Sequence, residues 1–495
     1  MDFNELILSE DDLEIKKYSV NGRTIFVRAF LDKDYCLKAK DEIEKINIFI
    51  PEAYFKGLEI NGYNRENAPL FIPNTVGGYM AGPAEEPGIG RFNEANSLFR
   101  ALEHGYIAVS AGVRGRNSGK ESNEFFEGGS EKKSSVNSGI LCGRAPAFIV
   151  DMKAAIRFLR LNASVIGGNM EHIITNGTSA GGALSALTGA SGNSEDYKEY
   201  LEEIGAAEER DDIFAASCYC PIHNLEHADM AYEWLFHKED IYHMYKKRKT
   251  ENGIERIPFS EKMDAETMKL SEELAAEFPG YLNSLELKDR CGEVLTLDEK
   301  GEGSFKEYLK GWVIRSAQKE LDTYISDSRK NERKVEDSEV ENQDYLHFSN
   351  GVVKDLDWDA YIAKISRMKP VFAFDHPDLT SPENEEFGDE NTEGRHFTEF
   401  AFKHSKANGE MANRQIIKMM NPLSYINDKN ASTASHWRIR HGAFDRDTAI
   451  AIPVILATAL QNAGADVDFF LPWGRPHSGD YDLEELFAWI DGICS

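Results

Sequence analysis

The segment Gly177-Thr178-Ser179-Ala180-Gly181 places a serine between two glycines in the pattern G-x-S-x-G. This pattern is typical of a nucleophile elbow, a sharp strand-to-helix turn from which a serine hydroxyl projects. The pattern alone is weak, so its context decides. The apolar run HIITNG (172–177) predicts a buried strand before the serine, and the small residues of SAGGALSALTGA (179–190) predict a helix after it. Ser179 is therefore the candidate nucleophile.

The candidate partners of Ser179 are His477 and Asp445. A serine hydroxyl needs a base that accepts its proton, and in folds with this elbow an acid and then a histidine follow the serine along the chain. His477 lies in the loop between the last predicted strand and the final predicted helix. Asp445 follows the preceding predicted strand. Asp447 is a rival acid, but the helical pattern predicts that it begins the next helix, where an aspartate is commonly a cap, so Asp445 is preferred.

An acyl-transfer reaction also needs two N–H donors for the oxyanion that forms on the substrate carbonyl. The backbone of Ala180, directly after the serine, is the first candidate. The second is expected in the loop after an early strand, where NTVGGY (74–79) places two glycines whose backbone can approach a substrate closely. Gly78 is the preferred residue, and Gly77 is nearly as good on local grounds.

A second motif points to a different chemistry. His223-Asn224-Leu225-Glu226-His227 fits H-x-x-E-H, in which two histidines one helical turn apart ligate zinc and the glutamate acts as base. The alternative is that both histidines cap or pack a helix. The packing interpretation is favoured because no third ligand can be singled out. Neither a metal nor an organic cofactor is therefore expected.

Strand and helix signals alternate at both ends of the chain, which predicts an α/β fold with a doubly wound, mostly parallel sheet. The predicted strands are 23–30, 45–50, 106–112, 172–177, 214–222, 436–442 and 466–473, with a further buried-strand signal in KPVFAFD (369–375). The predicted helices around the sheet are 145–161, 179–190, 448–464 and 481–493.

Charged helical patterns dominate the middle of the chain, at residues 223–345. The economical interpretation is a catalytic domain formed by residues 1–222 and 422–495, interrupted by a large, mainly helical lid at 223–421. In the alternative interpretation the middle segment is a separate interaction domain.

Composition excludes several classes of partner. The 495 residues carry 85 acidic and 56 basic side chains, a net charge of −29 that disfavours binding to nucleic acid or to anionic membranes. Six scattered cysteines are too few for a disulfide scaffold, and the acidic N-terminal segment does not resemble a secretion signal. No apolar run is long enough to span a membrane. A cytoplasmic location is expected, and the sequence carries no signal for an oligomeric state.

The chain resembles the bacterial tannases (tannin acylhydrolases), which are α/β-hydrolases with a large inserted lid. The resemblance extends over most of the chain and is carried by the blocks NTVGGY, APAFIVDMKAAIR, ITNGTSAGGA, CPIHNLEHADMAYEW, LTSPEN, NPLSY, HWRIRHGA, DRDT and PHSGDYDL. These blocks contain all three candidate catalytic residues. They also contain HNLEH, and because the family looks metal-free this further weakens the zinc interpretation.

The resemblance implies a substrate as well. In such enzymes the three hydroxyls of a galloyl ring are bound by a lysine and two carboxylates, which match Lys369, Glu383 and Asp447. Apolar contacts to the ring match Ile222 and Pro382. Carboxylates accept hydrogen bonds from phenols, and an ammonium group donates to a phenol oxygen. Pro370 beside the lysine, and Phe444 beside the triad acid, are departures that affect only the edge of the pocket.

The expected activity is therefore hydrolysis of galloyl esters (tannins, alkyl gallates and galloylated sugars) through a galloyl-serine intermediate, with a small phenolic ester as the substrate. A feruloyl or cinnamoyl esterase with the same triad is the nearest alternative. A catalytically silent interaction protein with the hydrolase fold is an alternative of another class.

Overall fold

The computed structural model describes residues 2–90, 93–120, 139–250, 253–331, 340 and 343–494. Within these ranges the strands are β1 (Glu14–Val20), β2 (Arg23–Asp34), β3 (Lys45–Pro51), β4 (Leu70–Pro73), β5 (Ile107–Ala111), β6 (Ile173–Thr178), β7 (Ala215–Tyr219), β8 (Ile241–Thr250), β9 (Gly253–Lys262), β10 (Leu346–Ser349), β11 (Val352–Leu356), β12 (His436–Arg440) and β13 (Asp466–Phe470).

The helices of the same ranges are α1 (Ser97–His104), α2 (Ala147–Leu161), α3 (Ala163–Ile166), α4 (Ala180–Ala190), α5 (Lys198–Glu203), α6 (Leu225–Phe236), α7 (Ala265–Ser284), α8 (Ser304–Asn331), α9 (Trp358–Ile365), α10 (Pro382–Glu386), α11 (Glu399–Lys403), α12 (Arg414–Met419), α13 (Ala451–Asn462) and α14 (Leu483–Cys494). None of the helices in the described residues is both long and apolar enough to cross a membrane.

One large sheet organises the chain. As far as the described residues go, it has nine strands in the order β1-β2-β3-β5-β4-β6-β7-β12-β13. The six strands β5, β4, β6, β7, β12 and β13 run parallel to one another. The strands β1, β2 and β3 pair antiparallel at one side of the sheet. The predicted mostly parallel α/β sheet is thus confirmed.

Both faces of the sheet are covered by other parts of the chain. Successive side chains of a strand point to opposite faces of the sheet, so one strand can contribute to both hydrophobic clusters. In β4, Leu70 and Ile72 belong to the main hydrophobic cluster, whereas Phe71 belongs to a second cluster on the opposite face. The second cluster includes Leu98 of α1 and Phe487 of α14. Helices therefore pack on both sides, and the parallel strands are buried on both faces, which explains their continuous apolar runs.

Between the end of β7 and the start of β12, no described residue joins the large sheet. This stretch contains α6 to α12 and two antiparallel hairpins, β8–β9 and β10–β11, which the sequence patterns did not predict. Its apolar residues Trp234, Phe278 and Phe305 lie in the same contiguous cluster as Trp437 and Phe469 of the sheet. The division at residues 222 and 422 remains a prediction.

The buried-strand signal at 369–375 is wrong, because this segment forms neither strand nor helix. Pro370 has no N–H to contribute to a strand ladder, and Phe372 has a positive φ of 64°. The N–H groups of Phe374 and Asp375 bind the side-chain carboxylate of Asp229 on α6, at 2.9 and 3.0 Å. The apolar composition indicated correctly that this segment is largely buried. Its backbone N–H groups, however, bind side chains instead of the backbone of a neighbouring strand.

Candidate active site

Ser179 lies in a sharp turn between β6 and α4, at the position predicted for the elbow. Its φ of 64° and ψ of −124° lie outside the regions that non-glycine residues ordinarily occupy. Three backbone hydrogen bonds hold it there. Its N–H donates to the carbonyl of Tyr219 at 3.0 Å, and its carbonyl accepts from Ala183 at 2.9 Å and Ile222 at 3.2 Å. The strained conformation is thus maintained by β7 and α4 together.

The two glycines of the motif are required by close packing of the elbow. A Cβ atom on Gly177 would lie 2.1 Å from the carbonyl oxygen of Gly181, and one on Gly181 would lie 2.4 Å from Oδ1 of Asn74. Asn74, at the end of β4, donates from its amide nitrogen to the carbonyls of Asn176 at 3.0 Å and Gly181 at 2.9 Å. The turn is therefore clamped from the neighbouring strand, and no larger residue fits.

The catalytic candidates meet at one edge of the sheet. Ser179 follows β6, Asp445 follows β12 and His477 follows β13, and the carboxyl ends of these parallel strands lie side by side. Nε2 of His477 lies 2.9 Å from Oγ of Ser179, and Nδ1 of His477 lies 2.7 Å from Oδ2 of Asp445. Three residues far apart in the sequence thus form a continuous hydrogen-bonded chain.

The charges in this chain support one another. Burial lowers the pKa of His477, but Asp445, together with Cys220 and Asp447, outweighs burial and raises that pKa well above its ordinary value. Burial alone would raise the pKa of the Asp445 carboxyl, but His477 and His441 lower it below its usual range. The Asp445 carboxyl is therefore held in its ionised form beside the His477 ring.

The geometry supports Asp445 over Asp447 as the acid, but not for the reason taken from the sequence. The helix α13 begins at Ala451, so Asp447 does not cap it. Asp447 instead donates its backbone N–H to Oδ1 of Asp445 at 2.8 Å, and its carboxylate lies 2.8 Å from Nζ of Lys369. The two aspartates therefore face different partners from a single turn.

The Gly77-Gly78 turn is connected to the elbow at Ser179 through hydrogen bonds. Gly78 and Tyr79 have positive φ values of 55° and 56°, and the N–H of Met80 donates to the carbonyl of Gly77 at 3.0 Å, which defines a tight turn. The hydroxyl of Tyr79 donates to the carbonyl of Ile222 at 2.7 Å. Because Ile222 in turn donates to Ser179, this turn is fixed relative to the elbow.

The lysine and the two carboxylates matched to ring binding come from three separate segments. Lys369 pairs with Asp447 and lies 4.0 Å above the ring of Phe374. Burial lowers the pKa of Lys369, but Asp447 and Glu383 raise it above its usual value, so the ammonium group persists. Burial raises the pKa of Asp447, but Lys369 and His477 lower it well below the usual range.

Glu383 lies on α10, close enough to Lys369 for the two charges to interact. It is buried, and burial raises its pKa above the ordinary glutamate value despite the opposing effect of Lys369. Pro382 is exposed at the first position of α10, whereas Ile222 is buried beside the elbow. The helix is tied to the Gly77-Gly78 turn through Arg116, which pairs with Glu385 and donates from Nε to the carbonyl of Gly78 at 2.9 Å.

The HNLEH segment packs the start of α6. Asn224 has a positive φ of 54°, so His223 and His227 are not one helical turn apart as a zinc site of this type needs. The ring of His227 stacks on Tyr281 at 3.6 Å, and its Nδ1 lies 2.9 Å from Oδ1 of Asn224. Burial lowers the pKa of His223 to about 3. This geometry supports the packing interpretation.

Sequence patterns missed several side chains at the site. Asn74 and Tyr79 lie inside a glycine-containing block that was considered only for its backbone. Cys220 was interpreted as a strand residue, but its Sγ lies 3.9 Å from Nε2 of His477 and 3.3 Å from the carbonyl of Ser478. Across the residues that the structure describes, Cys220, Asp445 and His477 form the one cluster of three metal-type ligands, and it coincides with the candidate triad.

Comparison with solved structures decides the family. Tannase from Lactobacillus plantarum is 44% identical, with a TM-score of 0.90 and coverage of 99% of this chain and 100% of that chain. Tannase from Fusobacterium nucleatum is 43% identical, with a TM-score of 0.88 over the full length of both chains. This chain belongs to the bacterial tannases.

Other comparisons agree with this assignment. Tannin acyl hydrolase has also been solved in complex with ethyl gallate and with 3,4-dihydroxybenzoate, at 44% and 43% identity to this chain. A family model described as BD-FAE matches residues 142–231, which include the elbow. Esterase LipC of Mycobacterium tuberculosis is 43% identical over 60 residues, which span 15% of its own length. The enzyme is thus a tannin acylhydrolase and a carboxylic ester hydrolase with the predicted α/β-hydrolase fold.

Replacing Asp445 by asparagine removes the charge that raises the pKa of His477. We expect kcat to fall by about 10⁴, because the amide disfavours the required imidazole tautomer. The acid limb of the pH–activity profile should lie at a lower pH for the residual activity than for the wild type, because His477 without its carboxylate partner has a lower pKa. Ester hydrolysis measured from pH 4 to 9 checks both effects, and an unchanged acid limb would contradict the assignment of Asp445.

Gly181→Ala should damage the elbow, because its Cβ would also lie 2.7 Å from the carbonyl oxygen of Val76. We expect a loss of about 1–3 kcal/mol in the free energy of unfolding and a fall in kcat. Gly311 in α8, where a Cβ meets nothing within 4 Å, supplies the matched control. Gly311→Ala should keep full activity with equal or higher stability. Equal behaviour of the two variants in denaturant unfolding and ester hydrolysis would contradict the packing requirement.

Proposed function

We propose that this tannase hydrolyses galloyl esters to gallate by a serine mechanism that uses Ser179, His477 and Asp445. The observation that carries the proposal is the hydrogen-bonded chain from Ser179 Oγ through His477 to Asp445. The relative that was solved with ethyl gallate supports the substrate class. No cofactor takes part in the proposed steps.

In the first step His477 accepts the Ser179 proton at Nε2 while Oγ attacks the ester carbonyl. The tetrahedral intermediate collapses when His477 returns that proton to the leaving alcohol, and a galloyl-serine ester remains. Water, deprotonated by His477, then attacks the galloyl-serine carbonyl, and the ester bond to Oγ breaks as His477 returns the proton to Ser179, which releases gallate. Asp445 holds Nδ1 of His477 throughout, so that Nε2 faces the reacting oxygens.

The backbone N–H groups of Ala180 and Gly78 are the proposed oxyanion donors. Ala180 is the first residue of α4, so its N–H belongs to a helix N-terminus that adds a favourable dipole. The positive φ of Gly78 and the bond from Tyr79 to Ile222 support its placement beside Ser179. Such donors stabilise charge that develops only during the reaction, which is why they accelerate the chemical step.

Recognition of the acyl ring is assigned to Lys369, Glu383 and Asp447, with Ile222 and Pro382 as apolar contacts. Adjacent phenol hydroxyls donate to the two carboxylates and accept from the ammonium group. A substrate without these hydroxyls offers no donors to the two carboxylates in a largely buried place, which penalises substrates that carry methoxy groups or bare rings.

The segment 223–421 is proposed to act as an inserted lid over the triad. Lys369 and Glu383 both belong to it, whereas the triad residues belong to the sheet domain. The ion pair between Lys369 and Asp447 therefore joins the two parts across the site. A cytoplasmic location is also proposed, supported by the free cysteines of the described chain.

A panel of methyl esters tests the acyl preference. We expect methyl gallate and methyl protocatechuate to be hydrolysed, and methyl ferulate to be poorer in kcat/KM by a factor of about 10⁴. Ser179→Ala serves as the control and should lower kcat by about 10⁶ on every good ester. A preference for ferulate would indicate a feruloyl esterase, and an unlabelled Ser179 after fluorophosphonate treatment would indicate a silent protein.

Glu383 gives the recognition site a pH dependence. Because burial raises its pKa, the carboxylate is protonated at a higher pH than an ordinary glutamate, and a protonated group accepts the ring hydroxyls less well. We expect KM for methyl gallate to rise as pH falls through this ionisation. Glu383→Gln should show a high KM that no longer varies over that range. KM for methyl benzoate, which has no ring hydroxyls, should not follow this ionisation in either enzyme.

A further inference from the structure

The hydroxyl of Tyr232 on α6 joins two separate segments of the chain. It donates to the carbonyl of Arg446 at 3.0 Å and accepts the N–H groups of Met368 at 3.1 Å and Lys369 at 3.0 Å. A phenol has one hydrogen to donate and two lone pairs, so these three bonds use its full capacity. The side chain is completely buried.

The two segments are the ones that carry the ion pair at the ring-binding site. Lys369 is bound through its own backbone N–H, and Arg446 directly precedes Asp447. One oxygen atom therefore links the backbone at Lys369 to the backbone beside Asp447, and it helps to set their separation together with the hydrogen bond from Arg446 Nη1 to Ser366 Oγ. The ion-pair distance of 2.8 Å between their side chains depends on that separation.

The segment around Lys369 depends on α6 for its shape. It lies outside any strand, so its N–H groups have no ladder partners. Besides Tyr232, two other residues of α6 hold it: Glu233 pairs with Arg367, and Asp229 accepts from Phe374 and Asp375. Of these α6 residues, Tyr232 also reaches the turn that carries both Asp445 and Asp447.

We propose that Tyr232 is a positioning residue that fixes Lys369 and Asp447 at the spacing a trihydroxylated ring requires. This inference rests on the proposed ring-binding role of Lys369 and Asp447. Tyr232 does not act on the ester, because all of its hydrogen-bonding capacity is already used within the protein. Burial raises the pKa of its phenol to about 12, so the hydroxyl keeps the proton that it donates to Arg446.

Tyr232→Phe tests the proposal by deleting one oxygen atom. It leaves two N–H groups and one carbonyl without their partner, which frees the backbone on both sides of the ion pair. We expect kcat/KM for methyl gallate to fall about tenfold or more, while kcat/KM for methyl benzoate changes less than about twofold. The ratio of the two values does not depend on the fraction of folded enzyme, because both are measured on one sample.

Tyr197→Phe is the matched control. Tyr197 is also fully buried, and its hydroxyl donates to the carbonyl of Met419 at 2.7 Å, away from the site residues. It should lower the melting temperature without changing the gallate-to-benzoate ratio. An unchanged ratio in Tyr232→Phe, or an equal change in Tyr197→Phe, would overturn the positioning role. If Tyr232→Phe does not fold, p-aminophenylalanine at position 232 keeps a donor with a weaker acceptor and should give a smaller fall in the ratio.

A combined variant separates this inference from the proposed function. In an enzyme that already carries Lys369→Met and Asp447→Asn, adding Tyr232→Phe should cost no further gallate preference, because the pair it positions is gone. Multiplication of the two losses would show that Tyr232 acts elsewhere. Absence of a gallate preference in the wild-type enzyme would refute the proposed function itself, whereas a strong wild-type preference that survives Tyr232→Phe refutes only the positioning role.

Discussion

Two carboxylates lie two residues apart in the turn after β12, and the backbone N–H of Asp447 is bonded to the side chain of Asp445. One carboxylate faces His477 and the other faces Lys369. The proposed place of ester cleavage and the proposed ring-binding place are thereby set by a single short turn. A shift in this turn would move both carboxylates at once, because the hydrogen bond between Asp447 and Asp445 couples their positions.

The electrostatics of the site follow from this arrangement. Asp445, Asp447 and Glu383 crowd three carboxylates around one ammonium group and one imidazole in a buried region. The pKa values of Lys369 and His477 are raised, and those of Asp445 and Asp447 are lowered. The pKa of Glu383 is raised, because burial outweighs the attraction of Lys369. The site is thus prepared for a neutral substrate that brings hydrogen-bond donors, which is what a polyphenolic ring provides.

The triad candidates and the candidate ring-binding residue Lys369 lie on elements that are held in different ways. The triad residues lie at strand ends of a sheet that is buried on both faces, so backbone hydrogen bonds fix them. The segment with Lys369 has no such ladder and depends on side chains of α6, a helix that begins a few residues after β7.

The sequence by itself identified the candidate nucleophile, the order of the candidate triad and most strands of the sheet. The apolar run before Ser179 and the small residues after it are local signals, since a buried strand and a tightly packed helix each need those residue types nearby. Lys369 and Glu383 were reached only through the family resemblance, because a lysine or glutamate in a charged segment looks like any exposed residue.

Only the tertiary structure decided how the segments between the strands are used. The apolar composition of residues 369–375 signalled burial without distinguishing a strand from a chain held by Asp229 and Tyr232. Asp447 looked like a helix cap until α13 proved to begin at Ala451. In each instance the hydrogen-bond or ion-pair partner that fixes the segment is more than 70 residues away, or it belongs to a turn whose geometry depends on distant contacts. Such interactions leave no periodic pattern in a sequence.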